Sequence, residues 1–242
     1  MQVITVGANK GGAGKSTVTA NLAGAFAQAG QRVCVIDLDP QGGASTLLLP
    51  DRPKPGPSLF DSRTSITPRI CEQTTYGISV LPAHVSLASA ELSLPRMAGW
   101  QDALRIKVVE AARHNFWDLV LIDSAPGLGV LPIVALRAAR QFLIVSPLEF
   151  LSLRTIGTAI QTAERATVPV LGIVPMRVRM QTLIARQVWS SMREHYDDLL
   201  LSPIPERTII QEAGVNGEPV VSYAPMSDAA KAFQRLRKEI NE

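Results

Sequence analysis

Six short runs of apolar residues, at 3–6, 33–36, 78–82, 119–123, 141–145 and 170–174, recur along the chain with little internal alternation. Such runs suit strands of a parallel sheet that is covered on both faces. Between them the apolar positions change to helical spacing. Residues 15–29 place Leu22, Phe26 and Ala29 on one side and stop at Gly30, a residue suited to a helix C-terminus. Residues 100–113 turn Leu104, Val108 and Ala111 inward, and further helical stretches cover 130–139 and 149–166. About six strands alternating with helices predict an α/β fold: a doubly wound, mostly parallel sheet with helices on both faces. At 242 residues this is one domain, 1–242, with a core large enough to need no staples.

The last third adds two amphipathic helices. In 181–195 the apolar positions Ile184, Val188 and Met192 recur at four-residue steps, while Arg179, Arg186 and Arg193 share another face. After Ser227, a suitable N-cap, Ala229, Phe233, Leu236 and Ile240 point one way and Lys231, Arg235 and Lys238 the other. Each helix carries a basic stripe, yet from Arg177 onward nine acidic residues balance nine basic ones. The stripes are therefore either an anion-binding surface or ordinary solvated faces. Pro50, Pro53, Pro55, Pro57 and Pro68 mark an exposed excursion that short helices interrupt.

Composition narrows the partners only a little. A net charge of +3 does not by itself announce a nucleic-acid binder. The two cysteines, Cys34 and Cys71, match no metal spacing and argue for a reducing cytosol and against an iron–sulfur cluster. Neither a signal peptide nor an apolar run of about 20 residues is present, so a cytoplasmic protein is expected.

The chemistry is concentrated directly after the first strand, in Asn9-Lys10-Gly11-Gly12-Ala13-Gly14-Lys15-Ser16-Thr17. Glycines there let successive N–H groups point at one anion, and the following helix adds the positive end of its dipole. Lys15 reaches the terminal phosphates of a nucleotide, and the Ser16 hydroxyl suits Mg²⁺, a cation that prefers hard oxygen ligands. Read strictly, G-x-x-x-x-G-K-[ST] needs glycine at position 9, where the chain has Asn9. Two acidic motifs complete the set. Asp123 ends the fourth apolar run ahead of Ser124-Ala125-Pro126-Gly127, as a Walker B carboxylate does, and Asp37-Leu38-Asp39-Pro40-Gln41-Gly42 ends the second. In an open α/β sheet these strand ends lie on the same edge as the phosphate loop.

K-G-G-x-G-K-S with the second lysine at Lys10 resembles the deviant Walker A loop of the ParA/MinD family of ATPases, P-loop NTPases that form ATP-sandwich dimers. Asp37 to Gly42 resembles that family's D-x-D-P-Q-G switch I, with Gly43 where members commonly have Asn. Val80-Leu81-Pro82-Ala83, Pro203-Ile204-Pro205, Glu212-Ala213 and 216–220 extend the likeness over nearly the whole chain.

The resemblance implies ATP and Mg²⁺ as cofactors. Gly11, Gly12, Ala13, Gly14, Lys15, Ser16 and Thr17 would cradle the nucleotide, and Pro205 and Glu206 would lie on its base side. Ser16, Asp37 and Asp123 would serve the metal, with Asp37 in a supporting role. Asp39 would orient the attacking water, and Lys10 would reach across the dimer to the partner's nucleotide. As a ParA-type partition ATPase, the chain would form an ATP-dependent homodimer and bind double-stranded DNA without sequence preference, associating with the nucleoid. A ParB-like centromere-binding protein would stimulate hydrolysis during plasmid or chromosome segregation. Arg179, Arg186, Arg193, Arg207, Lys231, Arg235 and Lys238 are the candidate DNA contacts; Ile209 stands where some chromosomal members carry arginine.

Three other readings remain: a positioning ATPase for a protein cargo, a MinD-like membrane-cycling ATPase, and a metabolic P-loop enzyme. No lipid-binding tail follows Ile240, so stable membrane association is not expected. His84, His114 and His195 are scattered and suggest no nucleophile–base pair. With the first strand at residue 2, an N-terminal helix-turn-helix extension is not expected either.

Overall fold

A computed structural model describes residues 1–49, 59–61, 64–68 and 70–241. The elements in chain order are β1 (Gln2–Gly7), α1 (Lys15–Gln28), β2 (Val33–Leu38), α2 (Gly43–Leu48), β3 (Glu72–Gln73), β4 (Ile78–Leu81), α3 (Ser86–Ser93), α4 (Ala103–Arg113) and β5 (Leu119–Ser124). There follow α5 (Val130–Ala138), β6 (Gln141–Pro147), α6 (Ser152–Arg165), β7 (Val170–Met176), α7 (Leu183–Tyr196), α8 (Thr208–Val215), α9 (Val220–Tyr223) and α10 (Asp228–Asn241).

The strands form one sheet in the order β3-β4-β2-β5-β1-β6-β7, with parallel neighbours except at β3, a two-residue antiparallel edge. The six apolar runs are β1, β2 and β4 to β7. Strand β3, Glu72-Gln73, carries no apolar signal and is defined only by its pairing with β4. Pairing of β2 with β5 puts Asp37 directly beside Asp123, and pairing of β5 with β1 puts Asp123 beside Val6. Three separate motifs thus meet at one sheet edge.

Successive strand residues face opposite layers. Ile4, Val6, Val33 and Val35 pack under α1, α2 and α8 to α10, whereas Val3, Cys34, Ile36 and Leu38 pack under α3, α4 and α5. A third cluster joins β6 and β7 to α6 and α7. Helix α1 is buried continuously from Val18 to Phe26, because the sheet lies on one side and α9 and α10 on the other. Small residues allow that approach. A Cβ on Gly24 would lie 2.3 Å from the Pro219 Cβ.

Several expectations need correction. Ala29 is exposed and caps α1 instead of packing. In α7 the inward residues are Ala185, Val188 and Met192, while Ile184 is 62% exposed. Four-residue steps drift around a helix of 3.6 residues per turn, and a small alanine marks the true inward position. The short helices α2, α3, α8 and α9 carry too few turns for a periodic signal. Pro50, Pro53, Pro55 and Pro57 lie outside the described residues.

Candidate functional site

The phosphate loop joins β1 to α1. Gly12 and Gly14 adopt φ of 70° and 99°, a region that glycine enters without steric cost. A side chain at Gly14 would also strike Met176. Asn9 stands in place of the expected glycine and fastens the loop to α6, because its amide donates to the Thr155 carbonyl at 3.0 Å. Lys15 is buried at the start of α1, whereas the Lys10 side chain is 58% exposed and ion-paired with Glu149.

Asp123 is fully buried. Its Oδ1 lies 3.3 Å from the Thr19 hydroxyl, which shares its single proton between that oxygen and the Lys15 carbonyl at 3.0 Å. Its Oδ2 has no hydrogen-bond partner, alone among the buried side-chain polar atoms of the described residues. Leaving such an oxygen unpaired costs about 1–3 kcal/mol. Burial, with the Asp37 charge beside it, raises the Asp123 carboxyl to about 8 against the opposing pull of the Ser16 hydroxyl and the Lys15 ammonium. A divalent cation fits this orphan. Ser16 and Asp123 supply hard oxygen donors, and no cluster of three or more His, Cys, Asp or Glu among the described residues forms an all-protein metal site. Mg²⁺ is commonly held this sparingly, with phosphates and waters filling its shell.

Asp37 is occupied differently. Its Oδ2 accepts from the Ser45 N–H at 2.7 Å and the Ser45 hydroxyl at 2.6 Å, and its Oδ1 accepts from the Asp39 N–H at 3.2 Å. Burial pushes its carboxyl up while these bonds pull it down. Its immediate work is to hold the loop that carries Asp39. Asp39 itself accepts from the Gln41 N–H at 2.9 Å and closes the turn. Gly43 then brings α2 onto the phosphate loop, because a Cβ there would sit 2.4 Å from the Ser16 Oγ. The glycine at 43 thus sets the spacing between the two loops.

Of the two residues expected near a nucleotide base, Pro205 bridges to Val178 and Glu206 pairs with Arg179. Glu206 lines a cavity of about 270 Å³ with Pro147, Arg177, Arg179 and Thr182. Arg177 was not singled out by sequence. It has φ 55° and donates to the Gly12 carbonyl at 2.7 Å, so a cation after β7 braces the phosphate loop. Its signal was a charged residue at the carboxyl end of a strand.

The proposed DNA residues do not form one free surface. Arg179, Arg193 and Arg207 are ion-paired with Glu206, Asp197 and Asp228, and Arg186 donates to the Gln181 carbonyl. Lys231, Arg235 and Lys238 share an exposed face of α10.

Comparison with known proteins agrees with this geometry. A family model described as an AAA domain matches residues 1–169. The chromosome-partitioning ATPase Soj of Thermus thermophilus is 32% identical over 98% of this chain and 94% of its own. The chromosome partitioning protein ParA of Caulobacter vibrioides is 30% identical over 99% and 94%. The septum site-determining protein MinD of Pyrococcus horikoshii, solved with Mg-ADP, superposes with a TM-score of 0.81 at 24% identity over 100% and 96%. With three nucleotide motifs assembled on one sheet edge and full-length likeness to ParA and Soj, the chain belongs to the ParA/MinD family of P-loop ATPases.

Proposed function

We propose that this partition-family ATPase binds ATP with Mg²⁺, closes into a sandwich dimer, holds DNA without sequence preference and hydrolyses ATP when a ParB-like partner engages it. The observation that carries this reading is the position of Lys10. It stands at the exposed rim of the phosphate loop, and Phe150 and Leu151, next to its partner Glu149, are 86% and 61% exposed. A cation and bare apolar side chains on a ligand-bearing edge suit contact with a second copy and its nucleotide.

Within one subunit, Lys15 and the loop N–H groups hold the phosphates and Asp39 orients water. Bound Mg²⁺ supplies charge neutralisation between the phosphates, and Ser16 and Asp123 are the residues that would hold it. Pro205, Glu206 and the neighbouring cavity would take the base. DNA contact through lysine and arginine needs only phosphates, so it should weaken steeply with salt. No helix of the described residues is long and apolar enough to cross a membrane.

The test is binding to arbitrary duplex DNA with ATP, with ADP and without nucleotide. Binding should require ATP, persist in Asp39→Ala and vanish in Lys10→Ala. Equal binding in all three nucleotide states would overturn the reading.

A further inference from the structure

The two acidic loops of the site are tied to opposite ends of one segment, 83–91. At its start, the Ala83 N–H donates to the Ser45 hydroxyl at 3.0 Å. That hydroxyl donates in turn to Asp37, so its single proton and its accepting oxygen are both committed. At its end, the Glu91 carboxylate accepts from the N–H groups of Val130 and Leu131 at 3.1 and 3.3 Å, capping α5 where the Asp123 turn runs into it. Gly129, the residue ahead of α5, makes no cap of its own, and a Cβ on it would lie 3.1 Å from the Glu91 Oε1. Between the ends the segment is hydrogen-bonded within itself and packed on the core. The Leu87 N–H donates to the His84 carbonyl at 2.9 Å, the His84 ring meets the Ser86 hydroxyl at 2.7 Å, and Leu87 and Ala90 are buried in the cluster that holds Leu38, Ala125 and Leu131.

We infer that segment 83–91 is a strut fixing the distance between the switch I loop and the Walker B turn, with Ser45 and Glu91 as positioning residues for Asp39 and Asp123. This rests on the proposed ATPase reading for its consequence but not for its geometry. Each end taken alone is an ordinary cap. Acting as a strut, the segment must pass loosening at one end to the other, although Ser45 and Glu91 are 46 residues apart in the chain.

Hydrogen exchange on the nucleotide-free full chain tests this. Glu91→Ala should speed exchange of the amides at 42–46 severalfold, and Ser45→Ala should do the same at 130–133. Glu91→Gln keeps an acceptor and should fall between Glu91→Ala and wild type. Exchange that rises only at the mutated end would overturn the strut, and the two variants test it independently should one of them fail to fold. ATP binding in EDTA should stay unchanged in both alanine variants while half-saturating Mg²⁺ rises about tenfold, the scale of one lost hydrogen bond to a charged group. An unchanged Mg²⁺ requirement beside altered exchange would remove the positioning role. Wild-type turnover is measured alongside, since its absence would sink the ATPase reading and leave the exchange result standing.

Discussion

The Lys10 ammonium lies 2.5 Å from the Glu149 carboxylate within one subunit. The residue proposed to reach a partner's nucleotide is therefore held at home, by the loop between β6 and α6. Both side chains are about half exposed, so the hold is weak: such pairs contribute little in water. Glu149→Gln should lower the protein concentration needed for ATP-dependent dimerisation by no more than about fivefold. Sedimentation velocity with ATP in an Asp39→Ala background measures it. A higher concentration requirement would mean that Glu149 supports the dimer instead.

Asp123→Asn should separate stability from chemistry. The variant keeps the shape of the buried carboxyl but cannot ionise, so it is spared the proton uptake that burial imposes on Asp123 between pH 4 and 8, and melting in EDTA at pH 7 should occur at the same temperature or higher. Mg²⁺-dependent ATP hydrolysis should fall on the order of 100-fold, the scale of one lost electrostatic group. Hydrolysis near the wild-type rate would exclude Asp123 from the metal site.

Gly24→Ala sets two effects against each other. Alanine gains about 1 kcal/mol in a helix interior. Here its methyl must share space with the Pro219 ring, a rigid neighbour, and overpacking costs about 1–3 kcal/mol. The clash should win, with a lower urea midpoint. A raised midpoint would show that α9 yields without cost.

The Asp118 carboxylate takes two bonds from the Arg32 guanidinium and one from its N–H, which holds it at about 2, below its ordinary 3.8. A depressed carboxylate stabilises the fold above its unfolded pKa and loses that effect as pH falls through the folded value. Asp118→Asn should melt below wild type at pH 6, and the gap should close between pH 4 and pH 2. A gap that is constant with pH would assign the difference to packing.

On α10, Lys231, Arg235 and Lys238 form no ion pair among the described residues, unlike Arg179, Arg193 and Arg207. Replacing all three with alanine should flatten the dependence of log affinity for duplex DNA on log salt by about 0.9 for each phosphate no longer neutralised. An unchanged slope would move the DNA surface to Arg179 and Arg186.

What could be read in advance was whatever is local in sequence. The phosphate loop, Asp39 and Asp123 follow strands whose apolar runs are unmistakable, and the parallel sheet follows from their alternation with helices. Ser45, Glu91, Arg177 and Asn9 could not be found that way. Asn9 fastens to Thr155 and Arg177 to Gly12, 146 and 165 residues apart, so their meaning exists only once β1, β6 and β7 are neighbours. Charge was misleading for a related reason. Arg179 and Glu206 read as separate surface and base-side positions, yet the bridge between Val178 and Pro205 sets them side by side.

The burial of α1 bears on how the protein is made. The helix that anchors the phosphate loop presents Leu22 and Phe26 to a core completed by Phe233, Leu236 and Ile240 of α10. A chain leaving the ribosome therefore displays its nucleotide motif early but lacks that part of the core beneath it until α10 arrives. A polypeptide broken off before α10 would leave Leu22 and Phe26 without the Phe233, Leu236 and Ile240 side chains that complete their core.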